Sequence, residues 1–268
     1  MKKNLHCAAA LCIAVVCLFT CAMAEGFTSD SDAIEKAALS VLKLEIYDSS
    51  DSLIATGSGF VMFDNMTLVT NYHVIEDGTF VYAVSDEGYK YQLDKVLICS
   101  SYYDLAILHF TTPTVMEPLA YATVKPKRSE PVVAIGSPKG FRNTISKGNV
   151  SGFYNEGDID YIMFTASISN GSSGGAVFNN SGEVIGISSI TYKDAQNLNM
   201  AIDIQEAVDL YKLWDGQNNY AIRDYAKADV GNPAGSSLSD LLEVQTSLDK
   251  RNSSKWVKEI SRNDGVTV

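Results

Sequence analysis

Two serines sit between glycines in "SNGSSGGAVFNN" (169–180), and a strand-like AVF run follows them. A serine hydroxyl is a weak nucleophile at neutral pH. It needs a base to take its proton and N–H donors to hold the oxyanion that forms on attack. This stretch offers the donors. Glycine at 171 lets the backbone turn so that its N–H faces a ligand, and Gly174 and Gly175 let the chain pass close to its neighbours before the AVF strand. Ser173 would then stand on the tight turn, with the N–H groups of Gly171 and Ser173 converging on one oxygen. A Gly/Ser-rich hairpin loop is the plainer account of the same residues.

The base must be sought elsewhere in a chain with only three histidines, one of them (His6) in the N-terminal segment. "TLVTNYHVIED" delivers His73 at the end of a β-run, where a short helical turn can start. His109 lies inside the apolar run "LAILHF" and is expected to be structural. Asp104 stands at the mouth of that run, where an acid must be hydrogen-bonded or sit at the sheet edge. It either forms a turn or orients an imidazole. Side-chain alternation puts His109 on the opposite face from Asp104, which leaves His73 as the partner.

The elements that must position these groups are short β-runs separated by Gly, Asn, Asp and Pro. They are VLKLEIY (41–47), GSGFVMF (57–63), TLVTNY (67–72), TFVYAVS (79–85), YKYQLDKVLIC (89–99) and LAILHF (105–110). After a Pro- and Lys-containing stretch come PVVAIGS (131–137), TISKGNVSGFY (144–154), YIMFTAS (161–167), GAVFN (175–179), EVIGISSITY (183–192) and NLNMAID (197–203). Many short strands at this spacing predict a closed or sandwiched all-β architecture, and the break near 113–130 divides them into two units with a cleft between. A short helix capped by Ser29 or Ser31 should precede the first strand. "DIQEAVDLYKLW" (203–214) has a helical period that puts Ile204, Ala207, Val208, Tyr211 and Trp214 on one face. Residues 215–268 are polar and read as a loosely attached extension, with a second amphipathic helix in "SLSDLLEVQTSLDKR".

A chain of 268 residues has room for one or two domains with a full core. Lys2 and Lys3, an apolar stretch over 8–19 and Ala22-Met23-Ala24 read as a signal peptide (1–24), with the mature chain starting at Glu25. The alternative is an uncleaved anchor, because Cys7 to Ala24 carries no charge and is nearly long enough to span a bilayer. Four of the five cysteines lie in that segment, so the exported chain keeps only Cys99, a buried strand residue on this reading, and no internal disulfide. The net charge of -11 argues against nucleic acid and anionic membrane as partners, and "KPKR" (125–128) reads as a solvated loop. Zinc-type Cys/His spacing and nucleotide-binding glycine motifs are missing from the sequence, so neither a metal nor a cofactor is expected.

Three segments in this order, "GSGFVMFDNMTLVTNYHVI", "DLAILHF" and "SNGSSGGAVFNNSGEVIGI", resemble the chymotrypsin-like serine proteases, in particular the bacterial trypsin-like HtrA/DegP group. The resemblance covers about residues 41–204, and the order His, Asp, Ser matches that family rather than subtilisins or α/β-hydrolases. It implies two packed six-stranded β-barrels, about 41–112 and 131–204, within a protease domain over 25–214. It also implies His73 as general base, Asp104 as its orienting acid, Ser173 as nucleophile and the amides of Gly171 and Ser173 as the oxyanion hole. Ser172 fills a place that is often Asn in the HtrA group, and no zymogen ion pair is implied. Ser167 falls at the base of the specificity pocket. The "GISSITY" segment (186–192), with Ser188 and Ser189, is the edge that pairs with substrate. No charged residue occurs from 165 to 173, so a small or medium apolar substrate side chain is expected there. Only about 55 residues follow Trp214, too few for the PDZ domain usual in the group. The implied activity is that of an exported serine endopeptidase acting on polypeptides. A non-catalytic or latent peptide-binding module on the same fold is the alternative.

Overall fold

The computed structural model describes residues 26–137, 143–191, 199–231 and 238. The expected signal peptide (1–24) and the expected helix in "SLSDLLEVQTSLDKR", Leu238 apart, lie outside the described residues.

The first strand shows how alternation becomes a barrel. In β1 (Val41–Tyr47), Leu42, Leu44 and Ile46 are buried while Lys43 and Glu45 point outward, where Glu45 pairs with Lys43 at 2.9 Å and Lys90 at 2.6 Å. β2 (Leu53–Val61), β3 (Thr67–Thr70), β4 (Phe80–Val84), β5 (Lys90–Ser100) and β6 (Leu105–Phe110) complete the unit. All neighbours are antiparallel, in the circular order β1-β2-β3-β6-β5-β4, and the β1–β4 and β5–β6 pairings close the barrel. The second barrel closes in the same circular pattern from β7 (Pro131–Gly136), β8 (Thr144–Glu156), β9 (Ile159–Phe164), β10 (Ala176–Phe178), β11 (Val184–Thr191) and β12 (Asn199–Asp203). Closure removes the exposed edges that an open sheet of this size would present.

Strands with an unbroken apolar run are those buried on both faces. In β6, Ala106, Leu108 and Phe110 fill barrel one, whereas Leu105 and Ile107 face a second core between the barrels. Phe60, Met62 and Val69 from barrel one meet Val133, Ile135, Ala176 and Phe178 from barrel two in that shared core. The two barrels are therefore joined by continuous packing.

The short helix α1 (Ser31–Ala38) is capped by neither expected serine. Asp30 caps it, accepting from the N–H groups of Asp32 and Ala33 at 3.0 Å. Ahead of it, Phe27 N–H donates to Asn180 O at 2.9 Å and its ring lies 5.3 Å from that of Phe178, which pins this segment to barrel two. A single helical turn, α2 (Tyr72–Ile75), follows β3. Helix α3 (Ile204–Leu213) is capped by Asp203 and buries Ile204, Ala207, Val208 and Leu210. Its Tyr211 stacks on Phe63 of barrel one at 3.9 Å.

The segment after α3 is built into barrel one, contrary to the expected loose attachment. β13 (Tyr220–Ala221) pairs with β5, and Cys99 N–H donates to Ala228 O while Val230 N–H donates back to Cys99 O. Ile222 and Ala228 are buried with it. Polar composition hid this docking because most of it runs through main-chain bonds. Cys99 is buried as expected. Burial pushes its thiol up to about 12, and it donates weakly to Tyr225 O.

Candidate active site

His73 sits in the turn α2, and two side chains just before it fix where that turn starts. Thr70 Oγ1 donates to Ser58 O at 2.7 Å, and Asn71 Nδ2 donates to Asp104 O at 2.8 Å. The second bond ties the histidine turn to the Asp104 turn. Asp104 has φ +52°, in the left-handed region that aspartate tolerates better than most residues. It is thus both a turn former and an imidazole partner. Its Oδ1 accepts from His73 N–H at 3.0 Å, and both carboxylate oxygens lie 2.9 Å from His73 Nδ1. A carboxylate on Nδ1 selects the tautomer with the proton there and leaves Nε2 as the basic nitrogen. The same hydrogen bond raises the His73 pKa above its ordinary value, against a smaller opposing effect of burial. The imidazole remains open to solvent, with its side chain 46% exposed against 26% for Asp104.

Ser173 follows a tight turn over residues 169–172. Ser172 N–H donates to Ser169 O at 2.8 Å, Ser169 N–H donates to Ser172 Oγ at 3.3 Å, and Gly171 takes φ +94°. The first serine of the pair thus shapes the turn. Gly174 has φ +82°, and a Cβ there would run into Ser58 O and Thr70 Oγ1. Barrel one grips the turn through Ser58, a fully buried residue. Its N–H donates to Ser173 O at 2.8 Å, its hydroxyl donates to Gly171 O at 2.7 Å, and that hydroxyl accepts from Ser137 N–H at 2.8 Å. The N–H groups of Gly171 and Ser173 have no hydrogen-bond partner among the described residues. Two free amides on one glycine-shaped turn can donate to an anionic oxygen.

His73 and Asp104 are brought into direct contact, and Ser173 joins them through Ser189. Ser189 Oγ donates to Asp104 Oδ2 at 3.0 Å, while Ser173 Oγ donates to Ser189 O at 3.5 Å. A hydrogen bond from Ser173 Oγ to His73 is not made among the described residues. The Ser189 side chain therefore faces Asp104, while the substrate role expected of its segment concerns main-chain atoms. Ser188 is buried, with its main chain bonded to Gly174 and Gly175 and its hydroxyl unpartnered among the described residues. With Ser167, Ile168, Ser172, Ile135 and Gly136 it lines a cavity of about 10 Å³, room for about one water. His109 is remote from this chemistry and lies 3.7 Å from Asp94. Among the described residues no group of three or more His, Cys, Asp or Glu is placed to hold a metal ion.

Sequence reasoning missed Ser58, Thr70 and Asn71. The flanking glycines of "GSGF" were the one available hint for Ser58. A Cβ at Gly57 would collide with Val74 and one at Gly59 with Leu68, so both glycines allow the close approach that aims the serine.

Residues 57–187, which include His73, Asp104 and Ser173, match the family described as a trypsin-like peptidase domain. The anti-sigma-I factor RsgI9 of Acetivibrio thermocellus is 33% identical over 183 residues, covering 68% of this chain and 26% of that protein. A probable periplasmic serine endoprotease, DegP-like, of Brucella suis is 36% identical over 152 residues, covering 52% of this chain and 28% of that protein. Both relatives are thus matched over less than a third of their own length. Among solved structures, a serine endoprotease from Yersinia pestis superposes with a TM-score of 0.61 at 27% identity, covering 68% of this chain and 66% of that one.

Proposed function

This chain belongs to the chymotrypsin-like serine proteases of HtrA type, and from that premise we propose that it is an exported serine endopeptidase whose nucleophile is Ser173. The observation that carries the proposal is the pairing of His73 with Asp104 beside a turn whose Gly171 and Ser173 amides are unpaired among the described residues. Ser173 Oγ attacks the carbonyl carbon of the scissile peptide, and His73 Nε2 takes its proton. Negative charge develops on the carbonyl oxygen and is held by the two amides. Asp104 stabilises the imidazolium that forms and is not itself protonated. His73 then gives its proton to the departing amine, leaving an ester on Ser173. A water attacks this ester with His73 again as base, releasing the new carboxylate and restoring the serine.

The small cavity lined by Ser167, Ile168 and Ser188, with no charged residue in its lining, supports a preference for a small uncharged side chain before the scissile bond. Export is supported by the basic, apolar and small-residue order of the first 24 residues and by the periplasmic description of the Brucella relative. A second reading, peptide binding without cleavage, has its own support. The Ser173 hydroxyl is engaged by Ser189 O instead of His73, and one relative is described as an anti-sigma factor.

Fluorophosphonate labelling separates the two readings. Labelling that Ser173→Ala abolishes, with casein cleavage lost in parallel, is the expected result. Labelling that survives Ser173→Ala overturns the assignment of the nucleophile. A folded chain that neither labels nor cleaves favours binding.

A further inference from the structure

The chain contains one Asn-Gly pair, Asn170-Gly171, and it lies in the turn before the proposed nucleophile. Asn170 is exposed, and its side chain has no hydrogen-bond partner among the described residues. The Gly171 nitrogen is equally unengaged, and Gly171 has no Cβ to hinder approach to the neighbouring amide. Other asparagines lack one or both conditions. Asn65 is followed by methionine and its amide donates to Thr114 O, while Asn179 is followed by asparagine and its amide donates to Glu183.

We propose that Asn170 is a site of spontaneous covalent modification that withdraws the Gly171 amide from the oxyanion position. The Gly171 nitrogen attacks Asn170 Cγ, the N–Cγ bond forms as the Cγ–Nδ2 bond breaks, and the amide proton leaves with ammonia. Water opens the resulting succinimide at one of its two carbonyls. Opening at Cγ gives aspartate, and opening at the main-chain carbonyl carbon gives isoaspartate, with the chain routed through Cγ.

Both products damage the site. Isoaspartate inserts a methylene between residues 170 and 171, inside a turn held at one end by Ser172 N–H on Ser169 O and at the other by Ser58 Oγ on Gly171 O. The inserted atom cannot be accommodated with both bonds kept and the Gly171 N–H still aimed. Either product also adds a negative charge at residue 170, next in sequence to the Gly171 amide, which opposes an oxyanion held by that amide. Activity should therefore decline with the age of the molecule. That consequence rests on the assignment of Ser173, whereas the modification itself does not.

The test incubates the purified chain in mildly alkaline buffer and follows three readouts in the same samples. Peptide mapping by mass gives conversion at Asn170, isoaspartyl methyltransferase labelling counts isoaspartate, and fluorophosphonate labelling gives active serine. Asn170 is expected to convert ahead of the other asparagines, with labelling lost in proportion to the converted fraction. Asn170→Gln, whose longer side chain closes a ring more slowly, should keep its labelling over the same period. An Asn170 that stays amidated while other asparagines convert overturns the proposal. So does equal decay of Asn170→Gln and the natural chain, or undiminished labelling of converted chains. A fresh chain that never labels counts against the Ser173 assignment, and mass mapping at Asn170 then decides the modification by itself.

Discussion

Ser189 donates its hydroxyl to Asp104 Oδ2 at 3.0 Å, a bond from barrel two to a carboxylate of barrel one across the cleft. Asp104 thus receives donors from His73 N–H, His73 Nδ1 and Ser189 Oγ, which fixes the plane of the carboxylate and with it the imidazole. Ser189→Ala removes one donor and leaves two. Losing a hydrogen bond to a charged group costs about 1.5–3 kcal/mol, but the remaining donors hold Asp104 in place, so kcat/KM on a peptide substrate should fall only about tenfold. A drop as large as that from Asp104→Asn would mean that Ser189 does more than brace the acid.

To act as the proposed base, His73 must be neutral at Nε2, and its pKa lies above the ordinary 6.5 because of the hydrogen bond to Asp104. The acid limb of kcat/KM against pH should therefore have its midpoint above 6.5. Asp104→Asn should move that midpoint down and cut the rate by about 10⁴-fold. The same pairing affects folding in a definite direction. Since the folded pKa exceeds the unfolded one, the His73–Asp104 pair adds stability that is fully present below the unfolded pKa and is lost as pH rises through the folded value.

On the proposed mechanism Ser58 of barrel one is a positioning residue, since its hydroxyl spans Gly171 O and Ser137 N–H. Ser58→Ala keeps its main-chain bond to Ser173 O but frees the Gly171 carbonyl, so the Gly171 amide loses its aim. The expected result is a fall of about 10- to 100-fold in kcat and in fluorophosphonate labelling rate, with KM little changed. A rise in KM at constant kcat would assign Ser58 to substrate binding.

Much of this was legible in the sequence because alternation and apolar runs are local signals. Val41–Tyr47 and Leu105–Phe110 are strands with the bounds that their patterns implied, and two strand groups on either side of 113–130 are two barrels. The pairing of His73 with Asp104 followed from scarcity of histidine and from strand alternation. The helix cap was misplaced because Asp30 and the serines beside it satisfy the same local rule. Ser58 reaches Gly171 from 113 residues away, and Ser189 reaches Asp104 from 85. No local pattern encodes such pairings. The docking of 220–231 escaped notice for a related reason, since main-chain pairing leaves little trace in side-chain composition.

Tyr225, in that docked segment, buttresses the turn that carries His73. Its ring meets that of Tyr72 at 5.6 Å, and its hydroxyl accepts from Asp77 N–H at 3.3 Å, so it touches the first residue of α2 and the chain just after it. Tyr225→Ala should destabilise the fold by about 1–3 kcal/mol and slow labelling of Ser173, while Tyr225→Phe should retain most of both. Denaturant unfolding and labelling rate check this. Unchanged labelling in a destabilised Tyr225→Ala would show that the segment supports barrel one without aiming the histidine.

Glu206 on α3 sets a pH dependence of stability separate from that of His73. Burial is the main cause that lifts its pKa to about 7, and Asp160, Asp203 and Asp209 add to it, while its bond from Asp160 N–H at 3.3 Å pulls the other way. Lys125 spends its charge on Asp160 and Asp203, the latter at 3.8 Å, and makes no ion pair with Glu206 among the described residues. The folded chain therefore holds a proton on Glu206 that the unfolded chain, with an ordinary 4.5, has released. Between these values the native state binds more protons, so this group makes stability fall as pH rises from about 4.5 to about 7. Glu206→Gln keeps the shape and removes the charge. It should raise the unfolding free energy on the order of 1 kcal/mol on the alkaline side of that window and change it little on the acid side. Urea unfolding at both ends measures the difference. An equal gain at both would mean that the substitution repacks the helix without relieving a buried charge.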